Sequence, residues 1–88
     1  MNDALRYEAA VTKNFIKELS KLPKDIRNRI LKAIDEILAN PLAGIKLRGE
    51  LEGYWRWRVG KYRIVYKINE TQGVVVFLDV GHRKLIYE

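Results

Sequence analysis

The run Trp55-Arg56-Trp57-Arg58-Val59-Gly60-Lys61-Tyr62-Arg63-Ile64-Val65-Tyr66-Lys67 decides the fold. Its apolar residues recur at every second position, the period of a half-buried strand. Gly60-Lys61 interrupts the alternation with two residues and puts glycine first, which suits a type II′ hairpin turn. A turn there predicts a register in which Val59 faces Tyr62, Arg58 faces Arg63 and Trp57 faces Ile64. One face then carries Trp55, Trp57, Val59, Tyr62, Ile64 and Tyr66, and packs inward. The other carries Tyr54, Arg56, Arg58, Arg63, Val65 and Lys67, and is strongly basic.

Working outward, Val74 to Val80 repeats the period of two and predicts another strand, joined by a longer turn over 69–73. The strand before the hairpin turn is expected to run from Leu51 to Val59, and the one after it from Tyr62 to Ile68. Ile45 to Leu47 is a candidate short extension. Before Pro41 the period becomes helical. Phe15, Ile16, Leu19 and Leu22 follow Thr12, whose hydroxyl is a natural N-cap. Pro23 suits the first position of a second helix, because it has no amide to leave unpaired there. Ile26, Ile30, Ala33, Ile34, Ile37 and Leu38 form that helix's apolar stripe, which Asn40-Pro41 ends. Leu5 to Ala9 alternates and predicts a first strand. The fold class is therefore α+β: an N-terminal strand and a helical hairpin packed on an antiparallel β-sheet.

The 88 residues allow one domain, spanning 1–88. A chain this short buries only about 60–65% of its unfolded surface, so its stability is marginal unless a partner helps. It has no cysteine, which excludes thiol catalysis and thiolate metal sites, and one histidine, His82. No apolar run is long enough to cross a membrane, and residues 1–10 hold no apolar signal core, so a cytoplasmic location is expected. The net charge is +6, which favours a polyanionic partner. That charge is concentrated: residues 46–67 hold 7 Lys+Arg and 2 Asp+Glu. Placing Arg58 opposite Arg63 costs roughly 0.2–1 kcal/mol. A bound phosphate chain offsets that repulsion, and arginine's planar fork fits phosphate. A solvated surface, or neutralisation by Glu50, Glu52 or Asp79, is the plainer account of the same residues.

The stretch from Lys46 to Lys67, followed by Val76-Phe77-Leu78-Asp79-Val80-Gly81-His82-Arg83, resembles the RelE/ParE toxin superfamily, and its RelE-type branch in particular. The helical hairpin around Leu22-Pro23-Lys24 resembles the same family. The resemblance implies a RelE-like microbial RNase fold and the toxin of a type II toxin–antitoxin pair. It implies a ribosome-dependent endonuclease that cuts mRNA in the A site by 2′-hydroxyl attack on the adjacent phosphate, with no metal and no other cofactor. Arg63, Arg83 and Tyr87 match catalytic positions, and Arg56, Arg58, Lys46 and Arg48 match the phosphate-binding ones. Arg56 and Arg58 stand where lysine is usual. Arginine is a poor proton acceptor, which leaves Tyr87 as the candidate base, with His82 behind it. The partners implied are a RelB-like antitoxin, in a toxin–antitoxin heterotetramer, the ribosomal A site and mRNA. Two other readings use the same residues: a ParE-like DNA gyrase inhibitor without nuclease activity, and a degenerate relative that only binds its antitoxin.

Overall fold

The structure, a computed structural model, describes residues 6–82. In chain order it contains β1 (Glu8–Val11), α1 (Lys13–Ser20), α2 (Lys24–Ala39), β2 (Ile45–Lys46), β3 (Trp55–Val59), β4 (Tyr62–Asn69) and β5 (Val74–His82). Single 3₁₀ turns at Pro41–Ala43 and Gly49–Leu51 flank β2. The five strands form one sheet in the order β1-β5-β4-β3-β2, and the two helices cover one face of it.

Thr12 starts α1 as its spacing predicts. Its hydroxyl accepts the Phe15 amide at 3.1 Å and donates towards the Phe77 and Leu78 carbonyls at 3.2 and 3.3 Å. The cap therefore also ties the helix to β5. At the other end of α1, Arg27 Nη1 donates to the Leu22 carbonyl at 2.7 Å and holds the interhelical turn. Phe15, Ile30, Ala33, Ile37 and Leu38 from the helices meet Ile64, Tyr66, Val75, Phe77 and Val80 from the sheet in one buried cluster.

The sequence-based expectation needs five corrections. The sheet is mixed, because β1 pairs parallel to β5, with Glu8 opposite Val74 and Val11 opposite Phe77. A strand followed by a helical hairpin returns on the same side of the sheet, so β1 can lie parallel to the last strand. β1 begins at Glu8 because the Tyr7 amide is taken by the Leu38 carbonyl at the end of α2, while Glu8 donates to Gly73. Leu5 lies outside the described residues. The strand before the hairpin starts at Trp55, since Gly49–Leu51 closes a 3₁₀ turn and Gly53 adopts φ 98°. Pro23 is the cap of α2, with ψ 154°, and its carbonyl accepts the Arg27 amide. Finally, β4 and β5 run on to Asn69 and His82, beyond the expected Ile68 and Val80.

The loop from α2 to β2 is pinned from inside the core. The Tyr66 side chain is fully buried, and its hydroxyl donates to the Pro41 carbonyl at 2.8 Å. Burial holds the phenol's pKa well above its ordinary value, against a smaller lowering by the Gly44 amide. The hydroxyl thus stays a proton donor. Gly44 is required beside it: a Cβ there would stand 2.0 Å from the Tyr66 hydroxyl and 3.0 Å from the Arg56 carbonyl. We predict that Tyr66→Phe, which leaves the Pro41 carbonyl only the Gly44 amide at 3.4 Å, costs about 0.5–1.5 kcal/mol, and that Gly44→Ala costs about 1–3 kcal/mol through overpacking. In the double variant the missing hydroxyl makes room for the new methyl, so urea unfolding should show a combined loss well below the sum.

Candidate nucleic-acid interface

The hairpin register is the one the turn requires. Val59 pairs with Tyr62, Arg58 with Arg63, Trp57 with Ile64, Arg56 with Val65 and Trp55 with Tyr66. Gly60 has φ 61° and no non-glycine residue among those described has positive φ, so Lys61 does not. That pattern belongs to a type II′ turn. The phase then follows. Trp55, Trp57, Tyr62, Ile64 and Tyr66 pack against or within the core. Arg56, Arg58 and Arg63 occupy the face away from the helices.

That face is not a bare ribbon of solvated charge. Arg56 and Arg63 are half-buried while Arg58 is exposed. The Nε atoms of Arg56 and Arg63 are both buried. Val65 sits between Arg56 and Asp79 as their cross-strand neighbour and is 2% exposed. The guanidinium stems therefore start from a dry floor. Arginine tolerates this better than lysine, because its delocalised charge is more weakly hydrated. At one margin of the face the Lys67 ammonium lies over the Tyr54 ring, 5.3 Å from its centre.

Asp79 is on this face because β5 is irregular. The ladder shifts register between Val65 and Tyr66, so that Tyr66 pairs with Phe77 while Val65 pairs with Asp79, and Leu78 is left as the extra residue. Asn14 Nδ2 donates to the Leu78 carbonyl at 2.9 Å and, with Thr12, holds the bulge. The bulge reverses the alternation. Val75 and Phe77 are buried before it and Val80 after it, which turns Asp79 and Gly81 outward. Gly81 lies opposite Arg63. The Asp79 carboxylate accepts the Val80 amide at 2.9 Å.

The structure brings Arg56, Arg58 and Arg63 together and separates other sequence-predicted residues from them. Lys46 pairs with Trp55, on the opposite face, with its ammonium 5.9 Å from the centre of that ring. Arg48 caps the 3₁₀ turn beyond it, and the two line a separate recess with Leu47, Gly49 and Glu52. His82 pairs with Tyr62 and meets its ring edge-on at 5.1 Å, so it too lies across the sheet from the arginines. Arg83 and Tyr87 lie outside the described residues. Two features escaped the sequence reading. Arg29 of α2 reaches the hairpin turn, with Nη2 3.1 Å from where a Cβ on Gly60 would stand. The bulge had a signal in the buried positions 75, 77 and 80, which break strict alternation.

The repulsion between Arg58 and Arg63 is real but screened, because Arg58 is exposed. We predict that Arg58→Thr raises stability by about 0.2–1 kcal/mol. The gain, read from urea midpoints, should shrink between 0.1 M and 1 M salt as the Debye length falls from about 10 to about 3 Å.

Comparison with known proteins agrees with this architecture. Residues 9–87 match the family model described as the ParE toxin of type II toxin–antitoxin systems. Toxin RelE3 of Methanocaldococcus jannaschii is 40% identical over 81 residues, covering 86% of this chain and 90% of that protein. The mRNA interferase toxin RelE of Escherichia coli K12 is 34% identical over 71 residues, covering 78% and 75% respectively. The crystal structure of the toxin–antitoxin complex RelBE2 from Mycobacterium tuberculosis superposes with a TM-score of 0.84 at 35% identity, covering 89% of this chain and 99% of that one. The chain belongs to the RelE/ParE superfamily of type II toxin–antitoxin toxins, on its RelE side.

Proposed function

We propose that this toxin is an endoribonuclease that cleaves mRNA in the ribosomal A site. The observation that carries the reading is Arg58 directly opposite Arg63, with Arg56 on the same half-buried face. Three cations on one face suit an RNA backbone and the charge that develops on a phosphorane. Relatives support the chemistry: one is named an mRNA interferase.

In the proposed reaction the 2′-oxygen attacks the adjacent phosphorus, the bond to the leaving 5′-oxygen breaks, and a 2′,3′-cyclic phosphate forms. The 2′-proton is taken by a base, and the 5′-oxygen receives one from an acid. Arg56 and Arg58 grip the phosphate, and Arg63 stabilises its equatorial oxygens. By family resemblance Arg83 assists at the transition state or the leaving group, and Tyr87 is the base. His82 is the weaker candidate, since it lies on the opposite face from the arginines. Lys46 and Arg48 hold more distant phosphates from their own recess. The scheme uses no metal or other cofactor.

The reading carries two partners. The cytoplasmic ribosome presents the mRNA, and a RelB-like antitoxin binds this toxin in a heterotetramer; the Mycobacterium tuberculosis relative was solved as a toxin–antitoxin complex.

The decisive experiment is in vitro translation with the purified chain, followed by mapping of new mRNA 5′ ends. Cuts within A-site codons that require ribosomes are expected. Arg63→Ala and Arg83→Ala should each lower cleavage about 10²-fold or more, the scale of losing one transition-state donor. Uncut mRNA from a folded chain overturns the proposal. Inhibition of gyrase supercoiling without an effect on translation would establish the ParE-like reading instead.

A further inference from the structure

A second cationic site lies around the corner of the hairpin from the arginine face. α2 and β3 enclose a groove of about 290 Å³, lined by Arg29, Lys32, Glu36, Trp57, Arg58 and the Gly60 turn. β2 pairs only with Trp55 and Arg56, so the rest of β3 is an open edge and the groove faces outward. Its charge is three cations to one carboxylate. Among the described residues none of Arg29, Lys32 and Arg58 has an ion-pair partner. Lys32 and Glu36 are four residues apart on one helix and still make no ion pair. Half-buried Trp57 gives the groove an apolar wall.

Arg58 belongs to both surfaces. It stands opposite Arg63 and also lines this groove. A polyanion crossing Arg63 and Arg58 therefore continues over the hairpin edge towards Lys32 and Arg29, with no second carboxylate besides Glu36 lining the groove. Resting on the RNA reading above, we infer that the α2–β3 groove binds backbone phosphates flanking the cleaved one, with Arg29 and Lys32 as their ligands and Trp57 as a surface for the adjoining sugar or base. Uncompensated cations around an apolar wall are the combination that single-stranded nucleic acid selects. Arg29 also reaches the Gly60 turn, at the end of the groove nearest Arg58 and Arg63.

The test is salt-dependent binding of a short fluorescein-labelled single-stranded RNA to the full chain. Each lost phosphate contact lowers the slope of log K against log salt by about 0.7 for single strands, so R29Q/K32Q should lower it by roughly 1.4. R29E/K32E should weaken binding further, and Glu36→Gln should tighten it. Arg29, Lys32 and Glu36 are all exposed side chains, and unchanged thermal midpoints confirm folding. Arg63→Ala runs alongside. If Arg63→Ala weakens binding while R29Q/K32Q leaves the slope untouched, the groove proposal fails and the arginine face stands. If the wild-type chain binds no RNA, this inference fails, while the ribosome-dependent reading is decided separately by the translation assay. An unchanged slope with lost affinity for a RelB-like antitoxin also overturns the inference, assigning the groove to a protein.

Discussion

Every surface of this protein takes its character from one backbone constraint, the two-residue turn at Gly60-Lys61. Gly60 supplies a positive φ of 61° and thereby aligns Val59 with Tyr62. Strand side chains alternate with a period of two, so a slip of one residue would send both tryptophans to solvent and the arginines into the core. Burying the half-buried aromatics and fully buried Ile64 and Tyr66 on one side therefore enforces the opposition of Arg58 and Arg63 on the other. Hydrophobic burial sets the phase, and the charge arrangement follows at a cost of only about 0.2–1 kcal/mol.

A second constraint carries that phase across the sheet. Leu78 is an extra residue in β5, and Thr12 and Asn14 bind its carbonyl from the start of α1. The bulge lets Val80 enter the core while Asp79 and Gly81 join the arginine face. Without it, Asp79 would point at the helices. Bulges of this kind re-aim side chains beside functional sites. Here a helix cap and a sheet irregularity share the same carbonyls, so the position of α1 and the composition of the basic face are set together.

The hairpin, its register and the helical stripes were legible in the sequence because each is a local pattern with a strong period. The face assignment of Arg56, Arg58 and Arg63 followed from Gly60 alone. What was not legible was long-range. The parallel pairing of β1 depends on where a helical hairpin returns the chain. The separation of Lys46 from the arginines depends on the pairing of a two-residue strand with Trp55. The approach of Arg29 to Gly60 joins residues about thirty positions apart. The Tyr66–Pro41 bond likewise spans 25 positions, and no local period encodes it. The shift of phase in β5 left a trace in the spacing of Val75, Phe77 and Val80.

The basic face also bears on why arginine rather than lysine stands at 56, whereas Arg58 is exposed. A surface floored by Val65, with two buried Nε atoms, is partly dehydrated before any ligand binds. An ammonium there would lose much of its hydration, whereas a guanidinium keeps its charge and presents a planar edge. Preorganised cations of this kind bind phosphate at little further cost in ordering. They also leave the free protein with like charges held close together in a chain too short for a large core. On the proposed function, the features that make the face fit RNA make the isolated fold weaker than it need be. A tight-binding antitoxin would then raise stability by mass action.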